Sequence, residues 1–267
     1  MPGRDSVAVG MSNLVLLDTR DNIVTLTLNR PARHNSLVPE LLREMLLALD
    51  SVREQVELRA VILQANGRSF STGGDVQAFY DQRDQSEAYA HEIVGVLNQV
   101  IVAMVELPVP IVAAVHAIVT GGSLGLVLAS DIVLVAPEAS FTPYYSVVGF
   151  SPDGGWTAML PEIIGRKRAA EVLMLNQTIR AEQAVAWGMA QRIVPSAEIR
   201  DQARAVADAI AQKKIGSIQQ TKRLLWRDGE TLVARLETER QYFVQQIASA
   251  EAQQGMRNFL QRRVGSR

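Results

Sequence analysis

Three glycine-bearing turns restrict the fold of this 267-residue sequence more than any other feature. The turn at 67–75 follows the apolar run 59–64, and the turn at 120–123 follows the apolar run 111–115. A third turn lies at 149–156, ahead of a helical pattern. Short buried strands that alternate with helices are typical of an α/β core. We therefore predict an α/β fold in which these turns form the functional site.

Hydrophobic periodicity predicts the elements around the turns. A β-hairpin is expected over 14–28, because two apolar runs flank Arg20-Asp21-Asn22. Helices are expected over 39–54 and 86–106, where apolar residues recur at three- and four-residue spacing. After Pro152 the pattern is mostly helical.

Two regions are predicted, with a boundary near Pro195-Ser196. Residues 12–195 form the α/β core, and residues 196–267 form a helical region that covers the core or makes a subunit interface. Residues 1–10 are interpreted as a tail without the apolar segment of a signal peptide. The most apolar stretch, 97–115, contains a glutamate and two prolines and is not expected to span a membrane.

Charge and cysteine content exclude several classes of protein. The 27 lysines and arginines nearly balance the 28 aspartates and glutamates, so nucleic acid is not expected as the main partner. Without cysteine, a disulfide scaffold, a thiolate metal site and a cysteine nucleophile are excluded. Because His34, His91 and His116 are far apart in the sequence, we also predict no metal site. We expect a cytoplasmic location.

The first two turns each contain a glycine pair, Gly73-Gly74 and Gly121-Gly122. Glycine lets the backbone approach a ligand closely, and amides at the start of a helix are unsatisfied donors that suit a developing oxyanion. Taken alone, each pair is also typical of a tight structural turn. Taken together, the two turns could provide a two-amide oxyanion hole for a thioester carbonyl.

Asp153 in the third turn allows two interpretations. In the structural one, Ser151 caps a helix, Pro152 is its first residue, and Asp153 is a first-turn acid favoured by the helix dipole. In the catalytic one, Phe150, Pro152 and Trp156 partly desolvate the carboxylate, which raises its pKa and makes it a stronger base. Beside an oxyanion hole, such a carboxylate could move a proton.

An ordered set of segments between residues 14 and 263 resembles the crotonase (enoyl-CoA hydratase/isomerase) superfamily. The matching segments are NRPARHNSL (29–37), FSTGGD (70–75), PIVAAVH (110–116), GG (121–122), ASD (129–131), GR (165–166), AEQA (181–184) and WGM (187–189). The resemblance implies a crotonase-like spiral of β-β-α turns, with 12–195 as an acyl-CoA-binding core and 196–267 as a helical trimerisation part. It also implies a homotrimer or a hexamer built as a dimer of trimers. The acyl-CoA thioester is the implied substrate, and no separate cofactor is expected.

The same resemblance implies roles for particular residues. The oxyanion amides would be those of Gly74 and Gly122. The segment FLQR (259–262) resembles a family FLxKR segment with Gln261 at the usual lysine, so basic contacts to the CoA phosphates are left to Arg262, Arg263 or another residue. The residues implied to line the CoA and thioester region are Arg33, Ser71, Thr72, Gly73 and Asp75.

The positions that distinguish family members favour an isomerase. Family hydratases use two glutamates, and the matching positions here hold Gly125 and Tyr145, so hydration is not expected. Asp153 stands where double-bond isomerases, and the ring-epoxide isomerase of phenylacetate breakdown, place a single acid. The resemblance to 4-chlorobenzoyl-CoA dehalogenase is weaker, because Asn98 replaces its partner histidine. Tyr145 is interpreted as lining the acyl pocket, as a hydrogen-bond partner of Asp153, or as plain packing.

We therefore predict an enzyme that shifts the double bond of a 3-enoyl-CoA to the 2-position. Asp153 would remove the α-proton and return it at the γ-carbon, while the Gly74 and Gly122 amides hold the enolate. One alternative is an enoyl-CoA hydratase or another crotonase-type lyase or hydrolase. An alternative of another class is a non-catalytic acyl-CoA-binding or interaction protein.

Overall fold

Short strands and helices alternate through the first two thirds of the chain, and helices follow. The computed structural model describes residues 13–226 and 229–264, so the predicted tail and the start of the core at residue 12 lie outside it. The strands are β1 Val15–Arg20, β2 Ile23–Leu28, β3 Ala60–Ala65, β4 Ile111–Val115, β5 Ile118–Thr120, β6 Ile132–Val135, β7 Ser140–Thr142, β8 Ile179–Arg180 and β9 Arg192–Ile193. The helices are α1 Pro39–Arg53, α2 Val76–Asp81, α3 Ser86–Glu106, α4 Leu124–Leu128, α5 Tyr145–Val148, α6 Leu160–Ile164, α7 Arg166–Met174, α8 Ala181–Ala186, α9 Ile199–Ala211, α10 Ile215–Leu225, α11 Gly229–Ile247 and α12 Ala250–Val264.

Six strands form a sheet in the order β1-β2-β3-β4-β6-β9, and β5, β7 and β8 form a second sheet. Strands β1 and β2 pair antiparallel, which confirms the predicted hairpin. The pairs from β2 to β9 in the large sheet are parallel. The glycine turns after β3 and β5 follow strands of these sheets, and the α/β prediction is confirmed.

Both faces of the central strands β3 and β4 are buried. Side chains alternate along a strand, so Val61 and Leu63 of β3 point into the main core, while Ile62 points to the other face. On that other face α9 packs through Ala203 and Ala207. Parallel strands buried on both faces are near-continuous apolar runs, which explains the apolar composition of β3 and β4.

Helix α3 lies in the main core between α1 and α11. Within the described residues, the stretch Arg83–Glu106 is long and apolar enough by its length and composition to cross a membrane. Half of its most apolar window is buried inside the protein, as in the core helix of a folded domain. Helices beyond residue 196 also contact the core, because α9 packs on the sheet and α11 packs on α3.

The helix predicted to begin at Pro152 does not form there. Residues 151–153 have no regular secondary structure, residues 154–159 form turns, and α6 begins at Leu160. The reason is that Gly154 and Gly155 have φ values of 60° and 85°, which a right-handed helix cannot include. Asp153 is therefore not a first-turn acid, and the structural interpretation of this residue is wrong.

Candidate active site

A cavity of about 910 Å³ brings the three glycine turns together with the C-terminal helices. Its wall contains Gly74 from the first turn, Gly122 from the second and Asp153 from the third. Helix α11 contributes Phe243, and α12 contributes Arg262. Other predicted site residues that line the cavity are Arg33, Thr72, Asp75 and Tyr145. Residues from both sides of the predicted boundary at 195 thus form this cavity.

The first turn directs the Gly74 N–H away from the neighbouring backbone. Leu37 pairs with Gly74 as an isolated parallel bridge, in which Leu37 N–H donates to Gly73 O (2.7 Å) and Asp75 N–H donates to Leu37 O (3.1 Å). In a parallel ladder the residue opposite such a pair of bonds has its own N–H and C=O on the other side. No acceptor for the Gly74 amide is found within 13–226 and 229–264, so it is available to a ligand.

The Gly122 amide lies in a 3₁₀ turn, Gly121–Ser123, which leads into α4. The first amides of a helical turn have no acceptor inside it, so this N–H is also available. Close packing requires glycine at this position, because an added Cβ would lie 2.8 Å from Leu97 Cδ2 and 2.9 Å from Asp153 Oδ2. Gly122 therefore lies directly beside the carboxyl group of Asp153.

Hydrogen bonds between the first two turns fix the two amides relative to each other. Thr120 N–H and the Ser123 hydroxyl both donate to Ser71 O, and each distance is 3.1 Å. The hydroxyl of Ser71, which is fully buried, donates to Asn35 O (2.7 Å). Gly73 has a φ of 68°, and an added Cβ there would lie 2.5 Å from Thr120 O. Ser71 and Gly73 thus join the turns behind the cavity wall, and the prediction that they line the site is corrected.

Asp153 is a buried carboxyl group, 6% exposed, on the cavity wall. Tyr145 Oη donates a hydrogen bond to Asp153 Oδ1 at a distance of 2.5 Å, which is one of the roles predicted for this tyrosine. Oδ2 has no hydrogen-bond donor within the described ranges and faces Gly122. Burial raises the pKa of Asp153 to about 7, the Tyr145 hydrogen bond acts to lower it, and the negative charge of Glu239 adds to the rise. Such a pKa suits proton transfer near neutral pH.

Two side chains hold the third turn in place. Trp156, which is fully buried, donates from Nε1 to Gly121 O (2.8 Å) and so ties the third turn to the second. Glu239 of α11 accepts hydrogen bonds from Gly155 N–H (2.8 Å), Thr157 N–H (2.7 Å) and Ala158 N–H (2.9 Å). The hydroxyl of Thr157 donates a fourth bond to the same carboxylate (2.7 Å).

Asp75, the other carboxylate on the described cavity wall, is paired with two arginines. Arg33 Nη2 lies 2.9 Å and Arg30 Nη1 lies 3.2 Å from Asp75 Oδ2, and the Ser36 hydroxyl donates to the same oxygen (3.2 Å). Burial acts to raise the pKa of Asp75, but the hydrogen bonds and charges of the arginines outweigh it, and the pKa is lowered. Asp75 therefore anchors the first turn as an ionised group.

One part of the cavity wall is apolar and largely aromatic. Phe79 lies 5.6 Å from Phe150 and 5.8 Å from Phe243 between ring centroids, and Phe150 lies 5.3 Å from Phe243. Ile93 and Leu97 of α3 complete this region. An apolar cavity with a few converging polar groups at one end suits an acyl group attached to a polar thioester.

Two positions bear on hydration and dehalogenation. An added Cβ at Gly125 would overlap Ile101 Cδ1 and lie 2.7 Å from Gly154 O, so a glutamate does not fit there. Asn98 does not line the cavity, and its Nδ2 donates to Leu236 O (2.9 Å). The site thus has no room at Gly125 for the first glutamate expected of a hydratase. The side chain at position 98, where a dehalogenase is expected to have a histidine, does not reach the cavity.

Glu239 and Phe243 were not predicted as site residues. Both lie in the helical pattern of α11, where acidic and apolar residues alternate without a motif. The one available signal is that Phe243 follows Glu239 by four residues, which places both on one helix face. The contacts of that face are decided by tertiary packing, which this pattern does not reveal.

Comparison with known proteins defines the class. Residues 18–265 match the model of the enoyl-CoA hydratase/isomerase family, so the chain belongs to this family of acyl-CoA enzymes, the crotonases. A solved structure, the enoyl-CoA hydratase of Bacillus halodurans, superposes with a TM-score of 0.87 at 25% identity, over 92% of this chain and 99% of that one. The predicted family and crotonase fold are confirmed.

Particular relatives carry different names. The chain is 31% identical over 259 residues to the 1,2-epoxyphenylacetyl-CoA isomerase of Escherichia coli (strain K12), covering 95% of this chain and 97% of that protein. It is 29% identical over 199 residues to 4-chlorobenzoyl coenzyme A dehalogenase-2 of Arthrobacter sp, covering 74% of this chain and 72% of that protein. Isomerase, dehalogenase and hydratase are different reactions, so family membership alone does not select one.

Proposed function

We propose that this protein is an enoyl-CoA isomerase that moves a double bond from the 3- to the 2-position of an acyl-CoA. The observation that most supports this is the contrast between Asp75 and Asp153, the two carboxyl groups on the described cavity wall. The pKa of Asp75 is lowered by its arginines, whereas burial raises the pKa of Asp153 to about 7. Carboxyl groups whose pKa values are shifted in opposite directions by their environments have different roles. Asp153 is the one suited to acid/base catalysis.

The reaction needs one base and one oxyanion hole. In the proposed mechanism the thioester oxygen accepts hydrogen bonds from the Gly74 and Gly122 amides. Asp153 Oδ2 takes the α-proton, and the electron pair of the broken C–H bond forms a dienolate whose negative charge lies on the thioester oxygen. Asp153 then returns the proton to the γ-carbon, and the double bond forms between the α- and β-carbons. The proton is conserved, so we propose no cofactor beyond the CoA thioester.

The oxyanion hole and the base each have a typical contribution to catalysis. One well-placed oxyanion donor contributes roughly 3–4 kcal/mol to transition-state stability. A positioned general base contributes about 10²–10⁴-fold in rate. At the cavity mouth, Arg33, whose side chain is 53% exposed, and Arg262 are the proposed contacts for the CoA phosphates.

The test compares wild type with Asp153→Asn on a trans-3-enoyl-CoA, measured by the absorbance of the conjugated 2-enoyl thioester. We expect turnover by wild type and a loss of roughly 100-fold or more in the variant, because the base is removed. Bound acyl-CoA should still raise the thermal midpoint of both proteins. Asp50→Asn, at an exposed acid of α1, is the matched control and should keep full activity.

Three results would count against this proposal. Equal turnover rates of the 3-enoyl-CoA in wild type and Asp153→Asn would show that Asp153 is not the acid/base. Hydration of crotonyl-CoA by wild type would favour a hydratase. Binding of acyl-CoA without turnover of any tested thioester would favour the non-catalytic alternative.

A second candidate reaction uses the same groups on an aryl epoxide. The cluster of Phe79, Phe150 and Phe243 at the apolar end of the cavity supports it, because aromatic rings pack well edge to face around another ring. So does the similarity to 1,2-epoxyphenylacetyl-CoA isomerase. Turnover of 1,2-epoxyphenylacetyl-CoA without turnover of 3-enoyl-CoA would select this candidate.

A further inference from the structure

Glu239 is a buried carboxylate outside the cavity wall, only 4% exposed, on a helix whose neighbouring acid Glu237 is at the surface. Its four hydrogen-bond donors are the backbone amides of Gly155, Thr157 and Ala158 and the Thr157 hydroxyl. Burying a carboxylate is costly unless its oxygens are fully hydrogen-bonded. Here every donor comes from the turn that follows Asp153, so the contact orders that turn.

The hydrogen-bond pattern fits an ionised Glu239. Three of the four partners are N–H groups, which can only donate, and an ionised carboxylate only accepts. A neutral carboxylic acid would bring its own O–H toward these donors. Burial raises the pKa of Glu239, and the donated hydrogen bonds oppose that rise because they favour the charged form.

Helix α11 also reaches the acyl end of the cavity. Phe243 lies one helical turn after Glu239 and packs against Phe79 and Phe150. A single rigid helix thus contacts the proposed acyl pocket through one side chain and the acid/base turn through another. The turn from Gly154 to Ala158 is not itself helical, because Gly154 and Gly155 have left-handed φ values.

We propose that Glu239 is a positioning residue, which holds the 155–158 turn so that Asp153 faces Gly122 and which places a second negative charge behind Asp153. The inference rests on the proposed acid/base role of Asp153. Glu239 does not line the cavity, so it acts through Asp153 and not on the substrate.

The charged and titratable groups around this pair are few in the described chain. Tyr145, from α5, donates to Asp153, and Glu239 faces it from α11. Arg235, also on α11, donates to Thr157 O (3.1 Å) and pairs with Glu162 of α6. Among these, the Glu239 charge raises the pKa of Asp153, so removal of that charge should lower it.

The test uses Glu239→Gln with Glu237→Gln as the matched control two residues away. The protonation of Asp153 is followed against pH by the infrared carboxylic-acid band that Asp153→Asn lacks. We expect the midpoint to fall by about one pH unit in Glu239→Gln, and kcat/KM to fall roughly tenfold or more because the amide nitrogen of glutamine cannot accept the N–H bonds. Glu237→Gln should match wild type in both readouts.

A second variant covers the case in which Glu239→Gln does not fold. Thr157→Ala removes the hydroxyl donor at an exposed residue and keeps the three amide donors. We expect it to lower kcat by several-fold with acyl-CoA affinity unchanged. The inference is overturned if the Asp153 midpoint does not move in Glu239→Gln, or, where that variant is unfolded, if Thr157→Ala has wild-type kcat. Absence of isomerisation in wild type would count against the proposed function alone, since the infrared midpoint needs no substrate.

Discussion

The hydroxyl of Tyr145 lies 2.5 Å from Oδ1 of Asp153, and both side chains are buried. Burial raises the pKa of Tyr145 well above its ordinary value, so the tyrosine remains a donor at neutral pH. One oxygen of the carboxylate therefore accepts a hydrogen bond, and the other, Oδ2, is the one that we propose takes the substrate proton. By the resemblance, Tyr145 stands at the position of a hydratase glutamate, and in the structure it is the hydrogen-bond partner of the proposed base.

Tyr145→Phe should move the pH dependence of the reaction upward. Burial raises the pKa of Asp153 and the Tyr145 hydrogen bond lowers it, so loss of the hydroxyl removes the lowering effect. We expect the midpoint of the kcat/KM profile to rise above 7 by about one pH unit, with roughly 10-fold lower activity at neutral pH. Tyr242→Phe, at an exposed tyrosine of α11, is the control. A midpoint that stays or falls contradicts the assignment.

Asp153→Asn should stabilise the protein at alkaline pH. The folded chain keeps the Asp153 proton up to about pH 7, whereas the unfolded chain loses it near 3.8. The folded state therefore binds more protons in this interval, and stability falls as pH rises through it. The variant lacks this loss, so its free energy of unfolding should exceed that of wild type at about pH 8 by up to about 4 kcal/mol and not at about pH 4.

Unfolding by urea at both pH values measures this difference. An Asp153→Asn variant that is less stable than wild type at the higher pH would show that the carboxyl is not buried in its neutral form. Asp50→Asn, at an exposed acid, should show no pH-dependent difference from wild type.

Gly122→Ala should abolish most activity while Gly216→Ala should not. The new methyl group at Gly122 would meet Leu97 and the Asp153 carboxylate, and it would displace the amide from the substrate oxygen. We expect a loss of roughly 10²–10³-fold in kcat. Gly216 in α10 has open space around the added Cβ, so alanine there should keep activity and add up to about 1 kcal/mol of stability. Steady-state kinetics and thermal unfolding distinguish the two, and near-normal kcat in Gly122→Ala would remove this amide from the mechanism.

Lys222→Met should destabilise the fold without touching the site. Lys222 Nζ is buried and lies 2.8 Å from Asp131 Oδ2 and 3.1 Å from the carbonyl oxygens of Met104 and Val109. Removing one partner of a buried ion pair leaves the other uncompensated, which costs about 3–5 kcal/mol. Lys213→Met, at an exposed lysine, should change stability by less than about 0.5 kcal/mol. If Lys222→Met had the same unfolding midpoint as wild type, the ion pair of Lys222 with Asp131 would contribute nothing to stability.

The local hydrophobic pattern of the sequence predicted the long helices correctly, but the local helix-start signature predicted the third turn wrongly. The bounds of α1 and α3 follow from apolar residues at helical spacing, and the structure agrees within one residue. Ser151-Pro152-Asp153 matches the signature of a helix start, yet no helix begins there. The left-handed conformations of Gly154 and Gly155 decide this. Gly154 packs against the backbone of Gly122 and Gly155 against the side chain of Met159, contacts that the local pattern does not show.

The site shows the same division between local and long-range information. Gly74, Gly122 and Asp153 belong to turns that the sequence alone points to, and the family resemblance was needed to single out these residues within them. Glu239 could not be distinguished from Glu237, because both are acids in one amphipathic helix and only the packed structure shows which is buried. Ser71 is a comparable case, since a polar residue in a motif turned out to hydrogen-bond inside the wall.

The dependence of the Asp153 turn on α11 has a consequence for how the protein is made. The three glycine turns leave the ribosome well before Glu239 and Phe243, so a partly synthesised chain contains the turns without the helix that hydrogen-bonds to the third of them. Contacts over so many residues form late and slowly in folding. If Glu239 has the proposed positioning role, we expect activity only once α11 has docked, so that a nascent chain would not act on acyl-CoA before that step.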